Sequence, residues 1–205
     1  MIDKYTTILK ESTADFRDRG SKFLAYAYPV QTLAQIKDRI IRLKKEHPKA
    51  VHHCLAWRLG TDGTQYRAND DGEPAGSAGK PILGQIDSMG LTNVLVVVVR
   101  YFGGTLLGVP GLINAYRTAT ADALAQCSKV EKWIEQLYEI EFDYPSMGEV
   151  LYILKQNEAT IYKQELQLFC LIKTGIPVIH EEACTGKLTQ IRGIKLKKIK
   201  PEELE

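Results

Sequence analysis

Three carboxylates lie within four residues of a glycine-rich segment, DDGEPAGSAGKP. They belong to Asp70, Asp71 and Glu73, and Lys80 follows near the end of the same segment. Proteins hold Mg²⁺ with a few carboxylates together with phosphate oxygens, so this spacing is compatible with a magnesium site in which Lys80 faces the phosphate. The alternative is a polar turn, because Asp and Gly adopt tight turns readily and carboxylates cap nearby backbone N–H groups.

A second glycine-rich segment, RYFGGTLLGVPGLINAYR, leads from an apolar strand into a helix. Backbone N–H groups in such a loop and the positive end of the following helix can bind an anion, and Arg100 and Arg117 flank it. The segment matches neither the P-loop nor the GxGxxG pattern, and Pro110 removes one N–H from the anion site. The alternative is a tight packing corner between strand and helix. The residues assigned to phosphate or nucleic acid are Lys80, Arg100, Tyr101, Gly103, Gly104 and Arg117.

Two histidines and a cysteine are consecutive in a predicted strand. Because neighbouring residues of a strand point to opposite faces, His52 and Cys54 share one face and His53 lies on the other. We favour a histidine held by a carboxylate of the first glycine-rich segment over metal binding or general-base catalysis. Ser77 lacks the GxSxG surround of a nucleophilic serine and Cys54 is little better placed, so we predict no catalytic residue.

Cationic and aromatic residues are interleaved through the first part of the chain, a pattern typical of surfaces that bind unpaired nucleic acid. Positive charge attracts phosphate and aromatic faces stack on bases, which suits RNA more than duplex DNA. The alternative is a core of aromatic residues with a solvated rim of charge. Opposite charges on the two glycine-rich segments could also neutralise each other and hold the loops together. The residues concerned are Lys22, Arg58, Arg67, Lys80, Arg100 and Arg117, with Tyr26, Trp57, Tyr66, Tyr101 and Phe102.

Hydrophobic periodicity and turn signals predict the elements that position these residues. We predict strands over 5–10 and 22–28 joined by a polar turn, a helix from a capping-box pattern at Thr32 to Pro48, and strands over 51–59 and 65–69. A helix over 81–89, a strand in LTNVLVVVVRY covered on both faces and a helix over 110–128 follow. Residues 135–199 are predicted as strand, helix, strand, strand, helix and strand, the third strand beginning at Leu168, which is the ferredoxin-like order.

Length and charge indicate two parts. The 205 residues suffice for one large domain or two of about 100 residues each. Residues 131–205 hold 10 Lys and Arg against 13 Asp and Glu, a net charge of −3. The whole chain has a net charge of +2, so residues 1–130 have a net charge of +5. Attraction to phosphate therefore belongs mainly to the first part. We predict domains over residues 1–131 and 132–205.

Cysteine usage and hydropathy indicate the compartment. The four cysteines lie at positions 54, 127, 170 and 184 without a CxxC pair, which favours reduced thiols over a disulfide framework or structural zinc. No run approaches the roughly 18 apolar residues of a membrane span, and the first residues show neither a basic flank nor an apolar signal core. We expect a cytoplasmic protein with no membrane partner.

The same segments resemble a known family. DDGEPAGSAGKPIL and VVVRYFGGTLLGVPGLINAYR, with SKFLAYAYPV and HHCLAW upstream, resemble the IMPACT family in its bacterial YigZ-type branch, and the resemblance spans nearly the whole chain. The matching residues of the first motif are Asp70, Asp71, Gly72, Glu73, Pro74, Gly76, Gly79, Lys80 and Pro81. Those of the second are Arg100, Tyr101, Gly103, Gly104, Leu107, Gly108, Gly111 and Leu112, and His53 lies in the upstream match.

The resemblance implies an α+β fold in two domains and a link to translation. The first domain would be similar to the second domain of the fifth small-subunit ribosomal protein. The second would be a ferredoxin-like domain similar to the last domain of elongation factor G. The family has no agreed catalytic residues to transfer.

We therefore expect a binding protein rather than an enzyme, one that meets RNA or the ribosome, or a translation-associated protein, in the regulation of translation. We expect no cofactor. Two alternatives stay open: a magnesium-dependent enzyme that acts on a phosphorylated small molecule or nucleotide, with Asp70, Asp71 and Glu73 on the metal, and a protein–protein adaptor. The sequence does not set the oligomeric state.

Overall fold

The computed structural model describes residues 3–167 and 169–204. Contacts divide the chain into two compact units, one of Tyr5–Lys132 and one of Trp133–Glu205 together with the residues before Tyr5. The strands are β1 (Lys4–Ile8), β2 (Ser12–Asp18), β3 (Ser21–Pro29), β4 (His52–Leu59), β5 (Gln65–Asn69), β6 (Val94–Tyr101), β7 (Lys129–Trp133), β8 (Glu135–Asp143), β9 (Thr160–Leu166), β10 (Phe169–Pro177) and β11 (Lys195–Lys198). The α-helices are α1 (Leu33–Glu46), α2 (Gly79–Ser88), α3 (Gly108–Ala125), α4 (Met147–Gln156) and α5 (Glu181–Leu188).

The first unit is built on a five-stranded sheet with the order β2-β3-β6-β4-β5. Each neighbouring pair is antiparallel. The central strand β6 carries the VLVVVV run, and every residue from Val94 to Val99 is fully buried. This confirms the prediction of a strand covered on both faces.

Alternate residues of β6 enter two separate cores. Val96 and Val98 pack in the cluster beneath α2 and α3, to which Tyr116 of α3 belongs. Val97 and Val99 pack in the opposite cluster beneath α1. The unit therefore has three layers, α1, the sheet, and the α2–α3 pair, and α2 and α3 share the face that carries both glycine-rich loops.

Helix α1 begins at the predicted capping residue. The Thr32 Oγ1 atom accepts a hydrogen bond from the Gln35 backbone N–H at 3.2 Å. The Gln35 side-chain oxygen accepts from the Gln31 backbone N–H at 2.7 Å, one residue earlier than the capping-box pattern requires. The helix ends at Glu46, two residues before Pro48.

The N-terminal strands differ from the prediction. The segment expected to hold two strands holds three, because residues 12–18 form β2 and pair with β3. β2 is an edge strand whose apolar side chains on the inward face are Ala14 and Phe16, so its alternation is weakly apolar. β1 pairs instead with β7, which sequence analysis missed because KVEKW has few apolar residues.

The second unit has the predicted element order. Its four strands form an antiparallel sheet with the order β11-β8-β10-β9. Ile140 of β8 and Ile172 of β10 pack in one core with Val150 and Leu154 of α4 and Leu188 of α5. Leu168, at which the prediction starts the third strand, lies outside the described residues, and β10 begins at Phe169.

The four cysteines form no disulfide bond. All four cysteines are free thiols, and Cys54, Cys170 and Cys184 are buried. In the part of the chain that the structure describes, no helix is both long and apolar enough to cross a bilayer.

Candidate functional site

Asp70 caps α2 from outside the helix. Its Oδ1 atom accepts hydrogen bonds from the backbone N–H groups of Ala78 (3.0 Å) and Gly79 (2.8 Å), and its Oδ2 atom accepts one from Gly76 (2.9 Å). Partial burial raises the pKa of this carboxyl, but the three N–H donors outweigh it, so the pKa lies below its usual value. The positive end of α2 is therefore already occupied by a carboxylate of the chain.

Glycine at position 79 lets the loop close on itself. A Cβ atom there would lie 2.5 Å from the backbone nitrogen of Asn69, which is too close. Only glycine therefore allows the two backbone segments to approach each other this closely. Just before the turn, Asp71 and Gly72 adopt positive φ values of 44° and 90°. The first glycine-rich segment is thus a folded loop with defined backbone geometry.

The other two carboxylates of this loop point to separate partners. The Asp71 Oδ2 atom accepts the backbone N–H of His53 at 2.7 Å, and its Oδ1 atom lies 3.7 Å from the Lys44 Nζ atom. Glu73 is buried, and its Oε1 atom accepts from Arg100 Nη1 at 2.6 Å and from the Tyr116 hydroxyl at 2.7 Å. Among the described residues no group of three or more His, Cys, Asp and Glu side chains could hold a metal ion. Each of the three carboxylates has a partner within the fold, which favours the polar-turn alternative over a magnesium site.

Arg100 has an internal partner. Its side chain is only 7% exposed and pairs with Glu73. The guanidinium carbon lies 5.4 Å from the centre of the Phe23 ring and 5.7 Å from the centre of the Phe102 ring. The sequence predicts that Arg100 meets an external phosphate, and that stays a prediction; in the structure its guanidinium pairs with Glu73. The structure instead supports the alternative that opposite charges hold the two loops together.

Gly103 forms the packing corner between β6 and the second loop. A Cβ atom at this position would lie 1.9 Å from the carbonyl carbon of Gly20, in the β2–β3 turn. The Gly103 backbone N–H donates a hydrogen bond to the Ser21 hydroxyl oxygen at 3.2 Å. This N–H is therefore not free for an anion, and the segment acts here as the tight corner that the sequence left as an alternative. Gly104 and Gly108 adopt positive φ values of 86° and 69°.

The cationic and aromatic set is divided between the two faces of the sheet. Tyr101 follows Arg100 on β6 and so points to the α1 face, where its hydroxyl bonds His47 Nδ1 at 2.9 Å. Tyr26 bonds the other nitrogen of the same ring at 2.7 Å. The structure therefore does not bring Tyr101 together with Arg100, Lys80 or Arg117.

Two predicted cations do come together. Lys80 of α2 and Arg117 of α3 are exposed and line a groove of about 500 Å³ between the two helices. Within residues 3–167 and 169–204 no ion pair is described for either side chain. We call this surface the α2–α3 groove; its lining is Gly76, Lys80, Pro81, Gly84, Gln85, Ile113 and Arg117.

A cleft of about 440 Å³ opens between the two glycine-rich loops. We call it the inter-loop cleft. Its walls are apolar and include side chains that are exposed to 48% at Phe102, 82% at Leu106 and 46% at Val109. Its polar side chains are His52, Glu73 and Arg100. Sequence analysis did not identify His52, Tyr116 or Leu106 as site residues; the only sequence signal was the placement of His52 on the same strand face as Cys54.

The histidine and cysteine string has structural partners. The His52 Nδ1 atom lies 2.7 Å from the Asp71 carbonyl oxygen. The Cys54 thiol donates to the Asp70 carbonyl at 2.9 Å, and its sulfur lies 3.2 Å from the Tyr116 hydroxyl oxygen; burial raises the pKa of the thiol to about 12. Burial lowers the pKa of His53, which lies on the α1 face. A thiol that stays protonated at neutral pH is a poor nucleophile, so Cys54 serves the core.

Comparison with known proteins identifies the family. The family model of the Impact N-terminal domain matches residues 19–124. These residues include both glycine-rich loops, the inter-loop cleft and the α2–α3 groove. The chain is 33% identical to the IMPACT family member YigZ of Escherichia coli K12 over 90% of its own length and 92% of the relative. The chain belongs to the IMPACT family.

Solved structures similar to this IMPACT protein include one that covers both of its units. A crystal structure of a hypothetical protein covers 98% of the chain and is itself covered completely, with 30% identity and a TM-score of 0.73. The structure of Yih1, a protein described as a two-domain translational regulator, has 32% identity over 59% of this chain and 46% of the other, with a TM-score of 0.36. The first of these shows that the two-unit mixed α and β fold is shared.

Proposed function

We propose that this IMPACT protein is a cytoplasmic protein that binds RNA, free or in the ribosome, and acts in the regulation of translation. The observation that carries the proposal is the α2–α3 groove, where Lys80 and Arg117 face solvent beside one another without an internal partner among the described residues. Each can approach a phosphate, and release of the counterions that phosphates hold supplies the free energy of binding.

The internal use of the remaining charged groups favours binding over catalysis. Asp70 caps a helix, Glu73 neutralises Arg100, and Cys54 is held protonated in the core. A general acid, a general base or a nucleophile needs a reactive group that is free to meet substrate. The groups that the sequence offered for such roles stabilise the fold instead.

The proposed link to translation rests on a protein that is similar to this chain. Yih1, one of the similar proteins, is described as a translational regulator. We further propose that the first unit has the fold of the second domain of the fifth small-subunit ribosomal protein, and that the second is similar to the last domain of elongation factor G. The sheet order β11-β8-β10-β9 with α4 and α5 on one face supports the ferredoxin-like part of this proposal.

Binding of single-stranded RNA at two salt concentrations tests the proposal. We expect affinity to fall steeply between about 50 and 200 mM salt, because each neutralised phosphate contributes about −0.7 to the slope of log affinity against log salt. Lys80→Ala with Arg117→Ala should weaken binding about 10-fold or more and reduce that slope by about 1.4. The measurement is fluorescence anisotropy with a labelled oligonucleotide.

A charge-matched double variant controls for net charge. Arg42→Ala with Lys45→Ala removes two exposed cations of α1, on the opposite face of the sheet, and should leave the affinity close to that of the unchanged protein. The proposal fails if RNA affinity is insensitive to salt, or if the groove variant and the α1 variant behave alike. No RNA binding at all would favour the protein–protein adaptor.

A further inference from the structure

Two hydrogen-bond acceptors face each other in the inter-loop cleft. A backbone carbonyl oxygen only accepts, so the His52 Nδ1 atom at 2.7 Å from the Asp71 carbonyl must carry the proton. In the neutral imidazole the Nε2 atom is then an acceptor. It lies 3.9 Å from the Glu73 Oε2 atom.

The Oε2 atom of Glu73 is the carboxylate oxygen left over from the internal pairing. Both Arg100 and Tyr116 donate to Oε1, at 2.6 Å and 2.7 Å. The cleft thus holds two adjacent lone-pair atoms, His52 Nε2 and Glu73 Oε2, that a ligand with two adjacent N–H donors would satisfy. Because Arg100 already balances the charge of Glu73, a neutral ligand fits this place better than a cation.

The walls of the cleft fit a flat apolar body. Phe102 presents a ring at the rim, and Leu106 and Val109 are exposed beside it. Exposed aromatic rings are the platforms on which unpaired bases stack in proteins that bind single strands. A volume of about 440 Å³ lies within the range of small-ligand sites.

The cleft adjoins the α2–α3 groove. Glu73 and Pro74 line the first, and Gly76, two residues further along the same loop, lines the second. On α3, Leu112 lines the inter-loop cleft and its neighbour Ile113 lines the α2–α3 groove. A strand whose phosphate lies at Lys80 and Arg117 can therefore place a base of a nearby nucleotide in the inter-loop cleft.

We propose that the inter-loop cleft binds an unpaired guanine base, stacked against Phe102, with its N1–H and N2–H donors directed to Glu73 Oε2 and His52 Nε2. This inference rests on the proposed RNA binding and adds the base that is selected. Among the bases, guanine offers two adjacent donors on its Watson–Crick edge. Uracil offers one N–H between two carbonyl oxygens, and those oxygens would face the carboxylate and the imidazole lone pair.

Three RNA strands of equal length test the inference without changing the protein. They are a uridine-only strand, the same strand with one central guanosine, and the same strand with inosine, which keeps N1–H and lacks the N2 amino group. We expect guanosine to bind about 10-fold more tightly than inosine, because inosine leaves the His52 Nε2 acceptor without a donor inside the occupied cleft, and more tightly still than uridine. Strands with one adenosine or cytidine should bind more weakly than the guanosine strand.

The outcomes separate the two proposals. Equal, salt-dependent affinity for all strands overturns the guanine site and leaves the RNA-binding proposal intact, whereas no binding to any strand overturns both. Preference for adenosine or cytidine over guanosine also overturns the guanine site.

Variants of the cleft give a second readout. His52→Asn keeps a donor for the Asp71 carbonyl and removes the Nε2 acceptor, so guanosine and inosine should then bind alike. Phe102→Ala should weaken binding of the guanosine strand about 10-fold, while Phe169→Ala, which removes an exposed phenylalanine of the other unit, should not. Circular dichroism melting of each variant verifies the fold, and unchanged discrimination in a folded His52→Asn variant contradicts the site.

Discussion

Single residues of the same type have different roles in this protein according to what surrounds them. Arg100 and Arg117 flank one glycine-rich segment, yet the first is 7% exposed and paired with Glu73 while the second is exposed in the α2–α3 groove. A buried arginine that loses its carboxylate leaves a strongly unfavourable charge. Substitutions at Arg100 therefore report on stability, and substitutions at Arg117 report on binding.

The carboxylate of Asp70 should make the protein more stable at neutral pH than in acid. Asp70→Asn leaves three N–H groups with one neutral acceptor, so we expect the free energy of unfolding at pH 7 to fall by about 1–2 kcal/mol. The pKa of Asp70 in the folded protein is below the ordinary value of 3.8, so the folded state binds fewer protons than the unfolded state. This contribution is present above pH 3.8 and is lost as the pH falls through the folded-state pKa.

Urea unfolding of the two proteins between pH 7 and pH 3 measures this effect. The gap between the unchanged protein and Asp70→Asn should narrow at the acid end. Asp122→Asn, at an exposed position on α3, is the control and should show little change at any pH. A gap that stays constant down to pH 3 would contradict a capping role for the carboxylate.

At the scale of elements, the sequence predicts regular structure well where one face is clearly apolar. The capping residue Thr32, strand β5 and the buried β6 follow from periodicity and turn signals. β2 was missed because an edge strand needs only Ala14 and Phe16 to face the core. The segment against which a loop packs is harder to predict from sequence, because the contact between Gly103 and Gly20 joins positions 83 residues apart.

Gly103 should be intolerant of any side chain. In Gly103→Ala the new Cβ atom would lie 1.9 Å from the backbone of Gly20, where nothing flexible can move aside. We expect the free energy of unfolding to fall by about 2–3 kcal/mol as the second loop is displaced. Thermal or urea unfolding measures the change.

The matched control for this substitution lies in α2. A Cβ atom at Gly84 meets nothing within 4 Å, so Gly84→Ala should raise the free energy of unfolding by about 0.5–1 kcal/mol through its helix propensity. Equal effects of the two substitutions would show that the β6 corner is not the close approach described above.

At the scale of the whole molecule, the chain combines two units with separate cores and opposite charge. The clusters beneath α1 and beneath the α2–α3 pair belong to the first unit, and the cluster of α4, α5 and the second sheet belongs to the other. The sequence predicted this division of charge, since both sums are read from composition. It could not predict which cations stay free, because that depends on contacts such as the pair between Glu73 and Arg100.

RNA binding should therefore reside in the first unit alone. A fragment of residues 1–134 retains the pairing of β1 with β7 and both cores of the first unit. It also retains the inter-loop cleft, the α2–α3 groove and an excess of positive charge. We expect it to bind the guanosine-containing strand within about threefold of the full chain, with the same salt slope, because every cation in the α2–α3 groove is retained. The fragment of residues 133–205, with more Asp and Glu than Lys and Arg, should show no measurable affinity. Circular dichroism establishes that both fragments fold, and a folded first fragment that loses affinity 10-fold or more would place essential RNA contacts in the second unit.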